Sequence, residues 1–293
     1  MTNSTNIQYL SMLERFTLFS DFFMHAVFSR NRKAVQLLAR IVTGKKDLIV
    51  VEWGLEVKKG FPFFRNDRYD LFIIDQYGNV YNIEIENTLQ SIGKRAFHNL
   101  SVLVAQGLKP GQKHKKLQEN WVVFLTKKDF LKQNEPFYNY QWREDRSRQK
   151  LKTGGHIRIV NGQYQGKDAL GKLMHDFHCT NPDDMFYDEL RETVSYFKKE
   201  PEGVNTMCEI MREFERKSKN EGRREGRAEG RAEGRAQGRR EGRAQGRAKG
   251  RMQEREAIMR NLREEGMSYE RIARITNQSL SKVKSFFKTQ QIA

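Results

Sequence analysis

Apolar residues first recur at helical spacing between residues 10 and 41, at Leu13, Phe16, Phe19, Phe22, Phe23, Val27 and Phe28. The pattern predicts two helices with a bend near residues 29–32. Residues 48–57 then turn β-branched and predict a first strand. Residues 68–74 and 79–86 are two more strand-like runs. Asp75-Gln76-Tyr77-Gly78 between them has turn composition, so the three segments predict a β-hairpin. With those four residues as the loop, Ile74 faces Asn79, and pairing outward brings Asp70 beside Ile83 and Glu84. Tyr81, Ile83 and Ile85 take the core-facing side, and Glu84 and Glu86 share the other. Asn87 or Thr88 is placed to cap a helix carrying Leu89, Ile92, Ala96, Leu100 and Leu103 or Val104. Residues 121–125 read as a buried strand. Strand, helix, strand in that order favours a right-handed crossover onto a parallel sheet. The layout is helix, three strands, helix, strand: an α/β domain. Beyond Pro136, residues 156–160 resemble a strand entering a turn, and residues 166–179 and 186–199 look helical.

The pattern changes completely after residue 220. Gly222, Gly226, Gly230, Gly234, Gly238, Gly242, Gly246 and Gly250 recur every fourth residue, each followed by Arg. Four residues overshoot a 3.6-residue turn by about 40°, so a glycine stripe would wind slowly around a helix. Each glycine costs a lone helix roughly 1 kcal/mol against alanine, and Glu–Arg pairs return only about 0.2–0.5 kcal/mol each. A conditional helix is expected, firming up on DNA or between chains, and a solvated basic spacer fits the repeat equally well. At the C-terminus, Ser268 is placed to cap a helix holding Ile272, Ala273 and Ile275. Asn277 follows, and Ser279 begins a helix with Val283 and Phe286. Small Ala273 and a left-handed Asn277 fit a helix-turn-helix, which would turn Gln278, Ser279, Ser281, Lys282 and Lys284 toward DNA. A plain helical hairpin fits the same residues.

Charge narrows the class of partner. The 293 residues carry a formal net charge of +17, and the pI is near 9.8. Residues 221–251 hold ten Arg, one Lys and five Glu, a net +6, and the rest of the excess is spread through the chain. Such basicity favours polyanions. Cys179 and Cys208 form no disulfide framework and suit a reducing cytosol. No run approaches the ~18 apolar residues of a membrane helix, and no secretory leader opens the chain. A cytoplasmic protein without a membrane partner is expected.

The candidate chemistry lies on the hairpin. Carboxylates on adjacent strands repel one another, and a divalent cation held by oxygens relieves the repulsion. A solvated, charged strand face would show the same spacing. The following helix favours a site, because Lys94, Arg95 and His98 lie just beyond Asp70, Glu84 and Glu86, a disposition suited to metal and phosphate together. Glu56 on the first strand is a further acid able to approach, or an ordinary surface residue. His175-Asp176-x-His178-Cys179 gathers metal-binding types but lacks the paired spacing of a closed zinc site. Leu170, Leu173, Met174 and Phe177 form a helical apolar stripe there, so packing accounts for the segment.

With these residues identified, the chain resembles a known family. Asp70 followed fourteen positions later by Glu84-x-Glu86 resembles the PD-(D/E)xK nuclease signature. Its surroundings are similar to the Rpn family of recombination-promoting nucleases and transposase-like proteins. The matches include Asp21-Phe22-Phe23-Met24 with Val27-Phe28, Gly78 with Tyr81-Asn82-Ile83-Glu84, and Lys94-Arg95-Ala96. They continue through Val160-Asn161-Gly162, residues 171–177, and Gly203-Val204 with Met207-Cys208, so that residues 9–215 are covered. The arginine-glycine tail is also similar to tails in that family. The resemblance implies a restriction-endonuclease-like core with a mixed central sheet flanked by helices. It also implies Asp70, Glu84 and the backbone carbonyl of Ile85 as ligands, and Mg²⁺ or Mn²⁺ as cofactor. The motif's last position is Lys in the superfamily and Gln in the relatives this chain resembles most; here it is Glu86. A Lys would orient or activate water and stabilise charge on the phosphate. Glu86 would serve as a base or further ligand, and repels phosphate unless the metal screens it.

The expected organisation is a nuclease-like domain over residues 1–215, a Gly-Arg repeat over 216–254 and a helix-turn-helix-like segment over 255–293. The expected function is metal-dependent DNA endonuclease activity linked to recombination or mobile elements. A catalytically degraded DNA-binding protein, or an oligomerisation scaffold assembled through residues 221–251, is the alternative.

Overall fold

The computed structural model describes residues 3–59, 67–108 and 110–290; the side chains of residues 3–8, 56–59, 67, 68, 221, 289 and 290 lie outside that description. The chain divides into two compact units, Met1–Arg216 and Lys217–Ala293. The first is an α/β unit. It opens with α1 (Asn3–Arg15), α2 (Asp21–Ser29) and α3 (Arg32–Thr43), then β1 (Val50–Lys59), β2 (Asp67–Asp75), β3 (Val80–Glu86), α4 (Ile92–Gln106) and β4 (Asn120–Thr126). It continues with β5 (Phe137–Tyr140), β6 (Gly155–Asn161), α5 (Ala169–His178), α6 (Asp188–Lys199) and the start of α7 (Pro201–Glu264). The six strands form one open mixed sheet in the order β1-β2-β3-β4-β6-β5. β1, β2 and β3 run antiparallel, β3, β4 and β6 run parallel, and β5 pairs antiparallel with β6.

Both faces of the sheet are covered, which explains the uninterrupted apolar run of β4, buried along its whole length. Val123 and Leu125 join Leu71, Ile73, Tyr81 and Ile83 in a core shared with α2, α3, α5 and α6. Val122 and Phe124 point the other way, against Ile92, Ala96, Leu100 and Leu103 of α4. Each such side chain contributes roughly 1.5–3 kcal/mol by its burial.

Several elements differ from the expected pattern for identifiable reasons. The N-terminal region is three helices, because a further break falls at residues 16–20. There the Thr17 hydroxyl accepts from Phe19 N (3.3 Å) and the Ser20 hydroxyl from Thr17 N (3.3 Å), local bonds that compete with the helix. The expected break near Ser29 is present, and the Asn31 side chain caps α3 by accepting from Ala34 N (2.9 Å). Neither Asn87 nor Thr88 caps α4. Asn87 instead donates to the Phe19 carbonyl (3.0 Å), and α4 starts after Ser91 in a left-handed conformation. Strand β5, at the sheet edge, had no recognisable signal in the sequence.

The hairpin register also differs, by one residue. Buried Asp75 accepts from Tyr77 N and Asn79 N (both 2.9 Å) with one oxygen, and from Asn79 Nδ2 (2.9 Å) and the Tyr81 hydroxyl (2.7 Å) with the other. Burial pushes its carboxyl up, but these bonds outweigh it and hold the pKa below the usual range. Asp75 N also donates to the Asn79 carbonyl (3.1 Å), and Gly78 takes the left-handed φ of 79° that such a turn needs. The loop is therefore Gln76-Tyr77-Gly78, and Ile74 pairs with Val80 rather than Asn79.

The second unit holds most of α7, with α8 (Tyr269–Ile275) and α9 (Leu280–Gln290). α7 is one continuous helix through the repeat, and a Cβ built on any of the eight repeat glycines would meet open space. Met259, Ile272, Ala273 and Val283 form a small core, with Leu262, Tyr269, Leu280 and Phe286 packed against it. α7 ends at left-handed Gly266, where Gly266 N donates to Arg263 O and Met267 N to Leu262 O. α8 ends the same way at left-handed Asn277, through Asn277 N to Arg274 O and Gln278 N to Ala273 O. Both are Schellman ends, which satisfy the last carbonyls of a helix. The Ser268 hydroxyl caps α8 by accepting from Arg271 N (3.4 Å). Among the described residues no helix is long and apolar enough to cross a membrane.

Candidate metal centre

Asp70 lies on β2, and Glu84 and Glu86 on β3. The paired register of β2 and β3 runs from Ile74–Val80 to Leu71–Ile83, and Asp70 and Glu84 each follow one residue beyond its end. Asp70 Oδ2 accepts from Ile85 N (3.0 Å). In a strand the N–H and C=O of one residue open on the same edge, so the Ile85 carbonyl faces the same side as Asp70. Glu84 is only 3% exposed. Its Oε1 accepts from Asn82 Nδ2 (2.9 Å) and Asn99 Nδ2 (3.5 Å), and its Oε2 from Arg95 Nη2 (3.4 Å). Arg95 Nη1 pairs with Glu86 Oε1, and the guanidinium lies 5.3 Å from the centre of the Phe124 ring.

Removal from water dominates the electrostatics. Burial pushes Asp70 up to about 6, against the bond from Ile85, and pushes Glu84 up to about 8, with the charge of Asp70 adding to the rise. Three acids therefore crowd a poorly hydrated place where Arg95 provides one positive charge. The three carboxylates and the Ile85 carbonyl offer oxygen atoms only, the ligand type that hard dications take.

Of the residues expected near phosphate, Arg95 turns inward onto Glu84 and Glu86, while Lys94 and His98 are exposed on the same helix. Glu56 lies on β1, with its side chain outside the described residues. In the second unit Ser279, Ser281, Lys282 and Lys284 are exposed and Gln278 is half-buried. The Ser279 hydroxyl accepts from Lys282 N (3.4 Å), and Lys284 approaches Glu270 at 4.0 Å. Sequence reasoning gave no role to four residues that the fold brings here. Asn82 and Asn99 hold Glu84 in place, and Asp21 and His25 of α2 reach Asp70, one ligand atom from each of the three lying within 4.8 Å of the others. The Asp21–His25 spacing of one helical turn was a legible sign of a shared face.

His175, Asp176 and Cys179 also bring ligand atoms within 4.8 Å of one another. Asp176 has a structural task, because its fully buried carboxylate accepts from Phe186 N (2.8 Å) and Tyr187 N (2.9 Å) ahead of α6. Burial, with Asp176 nearby, pushes the Cys179 thiol up to about 11, so it is protonated at neutral pH. The predicted stripe of Leu170, Leu173, Met174 and Phe177 is buried as packing requires. An open cleft of about 940 Å³ beside this cluster is lined by Tyr164, Met174 and Phe186 and contains none of Asp70, Glu84 or Glu86.

Fold and site together define an α/β protein with a mixed six-stranded sheet and, where β2 meets β3, buried Glu84 flanked by half-buried Asp70 and Glu86. No family model, curated protein or solved structure matches the chain.

Proposed function

We propose that the chain is a metal-dependent DNA endonuclease of the PD-(D/E)xK, Rpn-like kind, built on a restriction-endonuclease-like core. The observation that carries this reading is the Asp70 carboxylate bound by Ile85 N, the residue between buried Glu84 and Glu86 on β3. Asp70, Glu84 and the Ile85 carbonyl would hold Mg²⁺ or Mn²⁺, which polarises a phosphodiester and lowers the pKa of water. Asn82 and Asn99 fix the Glu84 carboxylate, and Glu86 is the base in place of the usual Lys or Gln. Lys94 and His98 meet the phosphates. The last two helices serve as a helix-turn-helix, with Gln278, Ser279, Lys282 and Lys284 toward DNA. Recombination or mobile-element turnover is the setting that the family resemblance implies, in the cytoplasm.

Purified chain incubated with supercoiled plasmid and Mg²⁺ or Mn²⁺ should nick or linearise it, and Asp70→Ala should abolish the products. Cleavage that survives Asp70→Ala would move the active site elsewhere. One observation favours a second reading, a DNA-binding protein with a degraded site: Arg95 already spans Glu84 and Glu86 as an internal cation. That reading predicts salt-sensitive DNA binding and no products with any dication. Products gained by Glu86→Gln alone would mark an intact scaffold with a weakened site.

A further inference from the structure

The cleft beside α5 carries a group of side chains that the nuclease reading does not use. His175 lies in the last turn of α5, Cys179 caps the end of that helix, and both line the cleft. Cys179 is a free thiol. Its Sγ lies 3.4 Å from His175 Nδ1, and the same Nδ1 lies 3.3 Å from Asp176 Oδ1. One ligand atom from each of the three falls within 4.8 Å of the other two. Four-coordinate Zn²⁺ takes sulfur at about 2.3 Å and nitrogen or carboxylate oxygen at about 2.1 Å. At tetrahedral angles those bonds set nitrogen about 3.4 Å from oxygen and about 3.6 Å from sulfur. The two separations at His175 Nδ1 are close to these edge lengths.

Local structure explains part of this arrangement without a metal. The apolar stripe of α5 is buried, and Asp176 ties down the segment before α6. Neither task calls for a thiol and an imidazole beside the carboxylate. Asp176 Oδ1 accepts from Phe186 N and Oδ2 from Tyr187 N, which leaves each oxygen a further lone pair. The carboxylate is fully buried, and a buried carboxylate gains most from positive charge in contact with it. One adjustment is needed. Cys179 Sγ is nearly as close to His175 Nε2 (3.9 Å) as to Nδ1, so the sulfur lies over the ring and the imidazole must turn about its Cβ–Cγ bond to coordinate. That torsion is soft, and the His175 side chain is 46% exposed.

We propose that His175, Asp176 and Cys179 form a Zn²⁺ site, with three protein ligands on one wall of the cleft and the fourth position open to it. The short spacing rules out a closed structural site of four ligands, but an open site needs only three. The mixed nitrogen, oxygen and sulfur set selects a borderline-soft dication over Mg²⁺. On binding, the thiol gives its proton to solvent and the thiolate sulfur makes the bond to the metal. Lys167 and Lys172 line the same cleft, so the open position suits water or an anionic oxygen of a small molecule. Through Asp176 the ion also fastens the end of α5 to the segment before α6. The site shares no residue with the carboxylates of β2 and β3, and it stands or falls independently of the nuclease reading.

The test is a Co²⁺ titration of the full-length, metal-stripped chain, kept reduced with a phosphine, in excess Mg²⁺. Co²⁺ bound to a thiolate gives a near-ultraviolet charge-transfer band, to which the oxygen ligands of β2 and β3 do not contribute. Wild type should gain this band despite the Mg²⁺, and Zn²⁺ should erase it. Cys179→Ser should remove the band, Cys208→Ala should keep it, and His175→Ala should weaken Co²⁺ binding at least about tenfold. Cys179 and His175 are not fully buried, so both substitutions leave the core intact. Zn²⁺ should also raise the melting temperature of wild type and not that of Cys179→Ser. No band from wild type, a band that survives Cys179→Ser, or wild-type Co²⁺ affinity in His175→Ala would each overturn the proposal.

Discussion

Replacing Glu84 by Gln isolates the cost of holding a carboxylate where water is excluded. The variant keeps the shape and an acceptor for Asn82 and Asn99 but removes the charge. Burial raises the folded-state pKa of Glu84 from an ordinary 4.5 to about 8, so the folded chain holds this proton more tightly than the unfolded chain does. The resulting stability is fully present below the unfolded pKa, declines as pH rises between the two values, and is gone above about 8. At about 1.4 kcal/mol per pH unit this interval sets a ceiling near 5 kcal/mol. Asp70 relaxes whenever Glu84 is protonated, so the two acids share the effect, and roughly 2 kcal/mol is expected for Glu84 alone. Urea unfolding in EDTA at pH 5.5 and pH 9 measures it. Tryptophan fluorescence is a selective probe, because Trp53, Trp121 and Trp142 all belong to the first unit. Wild type should lose about 2 kcal/mol more than Glu84→Gln between the two pH values, and Mg²⁺ at pH 9 should restore wild type but not the variant. Equal losses in the two proteins would refute the burial argument.

Two further outcomes test other parts of the fold. Asp176→Ala removes the buried carboxylate that accepts two backbone N–H groups, and should cost about 3 kcal/mol or more by the same urea assay; a loss under about 1 kcal/mol would mean that the segment before α6 is held by packing. Gly230, Gly234 and Gly238 face open space, so changing all three to Ala should stabilise α7 by roughly 2–3 kcal/mol, seen as higher helical ellipticity and melting temperature by circular dichroism. Lower helicity would show that these glycines are needed for close approach by another molecule.

The sequence exposed local periodicity well and long-range competition poorly. The hairpin, the buried strand at residues 120–126 and the turn at Asn277 were legible because each depends on a few adjacent residues. The helix break at residues 16–20 was hidden because Phe16, Phe19, Phe22 and Phe23 keep helical spacing through it, while two hydroxyls stop the helix. Asn87 has the right chemistry for a cap, yet its amide is engaged by a carbonyl 68 residues away. The placement of Asp70, Glu84 and Glu86 on two neighbouring strands was legible from strand alternation. The burial of Glu84 was not, since a Glu that alternates with Tyr81, Ile83 and Ile85 looks solvent-facing until α4 is laid across that side of the sheet. Asp21 and His25 reach Asp70 only through the packing of α2, which local pattern does not determine.

The turn that closes the hairpin works as a ruler. Asp75 lies five residues from Asp70, roughly 17 Å along an extended strand, and its four accepted bonds help set the register in which Leu71 stands opposite Ile83. A slip of one residue would put Asp70 or Phe72 opposite Ile83 and reverse the alternation of β2. The vulnerability of the centre to inherited change is thus split between two distant places. Substitutions around the acids alter its chemistry, whereas a single insertion or deletion between Asp75 and Asn79 would dismantle it without touching a ligand.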